Sequence, residues 1–255
     1  MKLAITGKGG VGKTTLAVLL GEIYKKEGKK VILVDADPDA NLASALGITS
    51  DIPALSEMVD LIEERTKAKP GTYGKFFKLN PKVDDIPDKF CLIHNGFKLI
   101  RIAKPKKGGS GCYCPENVFL KRLVNHLILK RDEVVILDME AGFEHLSRGT
   151  AQGVDGVIIV VEPGKKSIDT AKEIRKMAKD LDIENVFIVG NKIRSDEDKN
   201  FIRKFFNNKE ILGFIRFSNE VINADMNEIP IYKILSILED AKVIKEKMER
   251  LKNGS

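Results

Sequence analysis

The chain has 255 residues, of which 43% are hydrophobic and 31% charged, so it has the apolar content of a globular core and is neither disordered nor collagen-like. Lys and Arg number 43 against 37 Asp and Glu, with 6% aromatic residues and no Trp. The charges are interleaved, so no base-stacking surface for nucleic acid is expected. No apolar run reaches the ~18 residues of a membrane span and no signal-peptide core follows Met1. We therefore expect a cytoplasmic protein with neither nucleic acid nor membrane as partner.

Short aliphatic runs alternate with amphipathic stretches, which predicts βα units around a mostly parallel sheet. In chain order, strands are expected at 3–5, 31–34, 97–102, 134–137, 156–161, 185–189 and 211–215. Helices are expected at 14–26, 55–65, 115–130, 167–181 (with Ser167 as N-cap), 195–206 and from about 231 onwards, the last packed on the sheet.

The pair Asn95-Gly96 between two apolar runs predicts a hairpin. The fold class is therefore α/β, with one doubly wound, mostly parallel sheet flanked by helices. We expect a single domain over 1–255, with an irregular insertion at about 51–115.

A glycine-rich segment from Gly7 to Thr14 lies between the first strand and the first helix and reads G-x-x-x-x-G-K-T. Its backbone N–H groups and the helix N-terminus can bind phosphate oxygens, Lys13 adds a cation, and the Thr14 hydroxyl can bind Mg²⁺. A glycine-rich turn that binds nothing would need these residue types in this context by chance, so we discount it. The expected nucleotide-binding residues are Gly9, Gly10, Val11, Gly12, Lys13, Thr14 and Thr15.

Carboxylates follow two of the predicted strands. Alternation along an extended chain places Asp35, Asp37 and Asp39 on one side, where they can hold Mg²⁺ through water and orient an attacking water. For Asp39, a solvated acidic turn is the alternative. Asp138 ends a hydrophobic strand and is expected to complete the metal's surroundings, as a Walker B carboxylate does.

Lys8 gives the loop the sequence K-G-G-V-G-K-T-T, which resembles the motif of the deviant Walker A ATPases, the class of the nitrogenase iron protein and the Min and Par positioning ATPases. The resemblance implies Mg²⁺-dependent ATP hydrolysis, in which Lys8 reaches the partner's phosphates across a homodimer; the alternative is a solvated loop lysine. It also assigns hydrolysis to Asp37, a Mg²⁺-bound water to Asp35 and the adenine edge to Asn191. Residues 138–144 resemble the second switch of this class.

Two of the three cysteines, Cys112 and Cys114, are one residue apart in a glycine-rich loop. Two thiols are too few for a structural zinc site, whereas a two-fold dimer would supply four, for Zn²⁺ or Ni²⁺. The alternative is two unrelated surface thiols. Cys91 lies in an apolar run and is interpreted as a core residue.

Three segments, 79–83, 107–114 and 142–150, together resemble the accessory ATPases of carbon monoxide dehydrogenase maturation. The resemblance implies an ATP-hydrolysing homodimer with a metal at the interfacial C-x-C, which assists nickel insertion into that enzyme as client. Two alternatives stay open. One is a positioning ATPase that binds membrane or DNA, and the other is an electron carrier like the nitrogenase iron protein.

Overall fold

The computed structural model describes residues 1–37, 39, 41–71, 76–102, 114–143, 146 and 148–253. The strands in this part of the chain are β1 Lys2–Thr6, β2 Val31–Ala36, β3 Leu92–His94, β4 Phe97–Arg101, β5 Val134–Met139, β6 Gly156–Val161, β7 Val186–Ile193 and β8 Ile211–Arg216. The helices are α1 Lys13–Lys26, α2 Leu42–Ala45, α3 Val59–Thr66, α4 Ile86–Lys89, α5 Cys114–Lys130, α6 Arg148–Ala151, α7 Lys165–Asp180, α8 Asp196–Arg203, α9 Asn219–Met226 and α10 Leu235–Asn253.

The strands form one sheet in the order β3-β4-β2-β5-β1-β6-β7-β8. Every neighbouring pair is parallel except β3 and β4, which form an antiparallel hairpin at one edge. Every residue of β1, β2, β5 and β6 is buried, as expected for central parallel strands covered on both faces. The predicted fold class is therefore confirmed. Among the described residues, no helix has the length and apolar composition to cross a membrane.

Helices cover both faces of the sheet. Leu3 and Ile5 of β1 pack in the core that contains α1 and α10, whereas Ala4 packs in the core that contains α5 and α7. Successive strand residues point to opposite faces, so one strand supplies both cores. The predicted packing of the C-terminal helix on the sheet is confirmed, because Ile237 and Ile244 of α10 are fully buried in the first core.

The hairpin prediction is confirmed in detail. Residues Asn95 and Gly96 connect β3 to β4 with φ angles of 46° and 83°. Left-handed conformations at both central residues are typical of the type I′ turn, whose twist matches that of the paired strands. Cys91 lies one residue before β3 and is partly buried against the core that contains α5.

Two helix predictions are wrong in their details. The N-cap of helix α7 is Gly164, three residues before the expected Ser167. Ser167 is therefore inside the helix, and its buried hydroxyl accepts a hydrogen bond from the Glu162 N–H at 3.1 Å. The helix expected at 55–65 is divided into a 3-10 turn, Leu55–Glu57, and α3, because Met58 leaves the helical region at φ −80° and ψ 67°.

Candidate functional site

The glycine-rich loop connects the carboxyl end of β1 to the first turn of α1. Gly12 precedes the helix in a left-handed conformation, with φ 96° and ψ 33°. A Cβ atom at this position would lie 2.0 Å from Nδ2 of Asn191. The position therefore requires glycine both for its backbone angles and for space. The unpaired N–H groups of the first helical turn are directed into the loop, as in known anion-binding sites.

Strand pairing brings the predicted carboxylates next to this loop. Asp35 of β2 is directly opposite Asp138 of β5 in the parallel register. The Thr14 hydroxyl donates a hydrogen bond to Oδ2 of Asp138 at 2.6 Å, and Nζ of Lys13 lies 3.3 Å from Oδ2 of Asp37. The structure thus brings together five residues that the sequence predicted for one site.

The electrostatics of this cluster favour a bound cation. Burial, and then the nearby Asp138, raise the pKa of Asp35 to about 7; burial also raises the pKa of Asp138 to about 6. Oδ1 of Asp35 and Oδ1 of Asp138 are shielded from solvent and have no hydrogen-bond partner within the described chain. Buried oxygens without partners are costly, and a cation beside them would offset both effects.

The donor set fits Mg²⁺. This ion binds oxygen ligands, usually one or two carboxylates together with phosphate oxygens and waters. Asp138 and Thr14 supply a carboxylate and a hydroxyl beside the phosphate loop, and Asp35 supplies a second carboxylate. The residues that would hold the ion are therefore the three predicted for it.

A cavity of about 500 Å³ adjoins the loop. One side is formed by the predicted residues Gly9, Gly10, Gly12, Lys13, Thr14 and Thr15, and also by Asp37 and Asp39. The other side is an apolar wall from β8 to α9 formed by Ile215, Phe217, Val221 and Ile222. Sequence reasoning missed this wall. The one feature of the sequence that could have indicated this wall is the position of the connection after β8. It lies at the carboxyl edge of a parallel sheet, where ligands bind.

Asp39 is exposed and Val11 is buried. Asp39 is exposed at the cavity, and its N–H donates to Oδ1 of Asp37 at 3.1 Å. Val11 is buried, with its side chain in the core that contains α1. Val11 thus anchors the loop, and Asp39 helps to fix the Asp37 carboxylate.

Asn191 lines the cavity, and both ends of its amide group have protein partners. Nδ2 donates to the Val11 carbonyl at 2.7 Å, and Oδ1 accepts from the Lys192 N–H at 2.8 Å. Lys192, which has a φ of 58°, donates from Nζ to the Gly10 carbonyl at 2.6 Å. In this structure the two residues brace the glycine-rich loop, so the adenine contact remains a prediction for Asn191.

Lys8 lies on the outer side of the loop. Its side chain is 39% exposed, and its Nζ is 3.7 Å from Oε1 of Glu162. Oε2 of the same carboxylate is 3.2 Å from Nζ of Lys192. The position leaves Lys8 at the surface, where a second chain can reach it.

Thr6 is a site residue that sequence reasoning missed. Its fully buried hydroxyl donates to the Glu140 carbonyl at 2.7 Å and accepts from the Gly142 N–H at 3.2 Å. These bonds tie the end of β1 to the segment after β5 that resembles a switch. Pro38 and Ala40 lie outside the described residues, as do Glu144 and His145 of the same switch segment.

The predicted interfacial metal site falls largely outside the described part of the chain. Cys112 is not described, and Cys114 is the first residue of α5. Within the described residues, no group of three or more His, Cys, Asp or Glu side chains is arranged to hold a metal ion. The pairing of thiols across a dimer therefore remains a prediction.

A sequence profile for the CbiA family, described as the CobQ/CobB/MinD/ParA nucleotide binding domain, matches residues 2–231. The chain belongs to this family. An uncharacterized ATP-binding protein of Methanocaldococcus jannaschii is 48% identical over 256 residues, which cover 99% of both chains. The carbon monoxide dehydrogenase accessory protein CooC of Rhodospirillum rubrum is 43% identical over 244 residues, covering 94% of this chain and 92% of its own.

Solved structures agree with the fold expected of a CbiA-family chain. The MinD cell division protein of Aquifex aeolicus superposes with a TM-score of 0.69 at 22% identity, covering 100% of this chain and 98% of its own. A ParA family ATPase of Chlorobium tepidum gives a TM-score of 0.70 at 17% identity, with 97% and 98% covered. At these identities the likeness concerns the fold alone.

Proposed function

We propose that this CbiA-family chain is a Mg²⁺-dependent ATPase that assists nickel insertion into carbon monoxide dehydrogenase, acting as an ATP-dependent homodimer. The observation that carries the proposal is the pairing of Thr14 with Asp138 and of Lys13 with Asp37 beside a cavity of about 500 Å³. The 43% identity to CooC over 94% of the chain supports the choice of client.

The cavity has one polar and one apolar side, as an ATP site requires. The loop N–H groups and Lys13 bind the phosphates, and the apolar wall at Phe217 and Val221 packs against the base. Bound Mg²⁺ would neutralise charge on the phosphate oxygens. Thr14 and Asp138 would hold it, and Asp35 would hold one of its waters.

Asp37 has the position for handling the attacking water. Its carboxylate lines the cavity and lies 3.3 Å from Nζ of Lys13, the cation that this proposal assigns to the terminal phosphates. An ionised carboxylate there accepts a hydrogen bond from the water and orients it towards phosphorus. Asp37→Asn should therefore retain ATP binding and lose most of the turnover.

Lys8 connects hydrolysis to dimer formation. Because its side chain is 39% exposed on the outer side of the loop, a second chain docked there brings this cation to the other chain's phosphates. A cation supplied in trans stabilises transition-state charge, as an arginine finger does. We expect turnover to rise with protein concentration in wild type, and Lys8→Ala to remove this dependence.

The C-x-C pair makes the dimer a metal carrier in this proposal. Cys112 and Cys114 from two chains would provide four thiolates, enough for tetrahedral Zn²⁺ or planar Ni²⁺. The metal carried is the cargo of the reaction. Opening of the dimer after hydrolysis would separate the thiol pairs and release it.

The test combines metal analysis with size-exclusion chromatography, with and without MgATP. Wild type, Cys112→Ala/Cys114→Ala and the matched control Cys91→Ala are compared. We expect about one nickel per two chains in the ATP-dependent dimer of wild type and of the control, and none in the double variant. Equal nickel content in all three proteins would refute the interfacial site.

A further inference from the structure

A second cavity, of about 320 Å³, lies between residues 78–84 and helix α5. It shares no lining residue with the cavity at the glycine-rich loop. Its volume is many times that needed for one water molecule. The segment 79–83 carried part of the resemblance found in the sequence, and the ATP site does not use it.

The walls of this cavity are predominantly basic. Arg122, His126 and Lys130 are spaced by four residues on α5, so they form one stripe along the helix with steps of about 6 Å. Lys78 and Lys82 line the cavity from the other segment. The residues that line this cavity thus include four cations and one acid.

The excess of positive charge is not offset by the described residues. That acid, Asp84, is exposed and lies 3.8 Å from Nζ of Lys82, a surface pair that contributes little. Lys78, Arg122 and Lys130 form no ion pair with any described residue. Four cations around one cavity repel one another, so an anion bound there would stabilise them.

His126 lies on the same wall of the cavity. Its Nε2 is shielded from solvent and has no hydrogen-bond partner in the described part of the chain. Burial lowers the pKa of His126; Arg131 and Arg122 lower it further, and Asp84 and Asp88 oppose them. The lowered pKa favours the neutral imidazole, so His126 adds no permanent charge to this wall.

We propose that this cavity is an oxyanion-binding site that takes a phosphate group. Arg122, Lys130, Lys78 and Lys82 supply the charge, and His126 lies between Arg122 and Lys130 on the same wall. Two sources share this chemistry, free inorganic phosphate and a small phosphomonoester. The site is separate from the ATP site and stands without the proposed function.

The test is a titration followed by NMR of the histidine rings. The chain has three histidines, and the spectrum of His126→Gln identifies the signal of His126. Inorganic phosphate should shift this signal saturably, with a dissociation constant on the order of 1 mM. Lys13→Ala should retain the shift, because binding at the glycine-rich loop does not produce it.

Variants separate a built site from general attraction of anions. Arg122→Gln should weaken phosphate binding about tenfold. Lys176→Gln, which removes an exposed cation that lines a different cavity at α7, should leave phosphate binding unchanged. A second titration with glycerol 3-phosphate distinguishes the sources: tighter binding than inorganic phosphate assigns the ester, and weaker binding assigns the free ion.

Two results would overturn the proposal. One is a His126 signal that does not shift saturably with either ligand. The other is an equal shift in wild type and Arg122→Gln, since the cation would then make no contribution. Arg122 is exposed on α5, so Arg122→Gln should remain folded. Thermal unfolding of the variant checks this.

Discussion

The substitution Gly12→Ala tests the geometry of the glycine-rich loop most sharply. Gly12 has a φ of 96°, and an added Cβ would lie 2.0 Å from Nδ2 of Asn191. The same amide nitrogen donates to the Val11 carbonyl at 2.7 Å. The alanine variant therefore meets backbone strain and displaces a group that holds the loop.

The expected cost follows from these two effects. A non-glycine residue in a left-handed conformation costs about 1–3 kcal/mol. Displacing the Asn191 amide loses a buried hydrogen bond, which contributes about 1 kcal/mol. We expect Gly12→Ala to lower the free energy of unfolding by about 2–4 kcal/mol and to abolish measurable ATP binding.

A double-mutant cycle measured by urea unfolding isolates the contact. Asn191→Ala removes the side chain that the new methyl group would hit, so the double variant should be less destabilised than the sum of the single variants. The coupling should be about 1–2 kcal/mol. Gly9→Ala is the matched control, because a Cβ there would have no heavy atom within 4 Å, and it should remain within ~0.5 kcal/mol of wild type.

Additive effects of Gly12→Ala and Asn191→Ala would contradict this reasoning. They would show that the alanine methyl group and the amide do not compete for the same space. A destabilisation by Gly9→Ala as large as that of Gly12→Ala would also contradict it, because the cost would then not depend on φ or on the contact.

Thr6→Val removes a buried hydroxyl and leaves the Gly142 N–H without its partner, so we expect a loss of about 1–3 kcal/mol in stability and a larger drop in ATP turnover than in ATP affinity. The control Thr66→Val, which removes another buried hydroxyl, should lower stability and retain turnover. Equal turnover in both variants would refute the role of Thr6. Hydrogen bonds from Arg131 lower the pKa of Asp88 to about 2, so the ion pair stabilises the fold above about pH 4 and is lost as the pH falls through about 2. Asp88→Asn should therefore cost about 0.5–1 kcal/mol at pH 7 and only a fraction of that near pH 2. A difference from wild type in urea unfolding that is as large at pH 2 as at pH 7 would exclude this ion pair as its source.

The elements predicted best were those fixed by local chemistry. The loop before α1 and the Asn95-Gly96 turn need particular backbone angles, and few residue types supply them. The pairing of Asp35 with Asp138 followed from hydrophobic strands that end in acids at the same edge of a parallel sheet. These signals are contained in short stretches of sequence.

Contacts between distant segments could not be predicted in the same way. Thr6 is an ordinary strand residue until β5 places Glu140 and Gly142 beside its hydroxyl. Serine is a preferred N-cap residue, yet Gly164 is the N-cap of this helix. The Ser167 hydroxyl instead accepts a hydrogen bond from the Glu162 N–H, just after β6. In both cases the partner is set by the packing of elements, which overrides local preference.

The most direct test of the proposed function is activation of nickel-free carbon monoxide dehydrogenase by the nickel-loaded protein. With MgATP, wild type should restore activity in the client, whereas Asp37→Asn and Cys112→Ala/Cys114→Ala should not. Activation to the same level by wild type, by both variants and by free nickel at equal concentration would contradict the account.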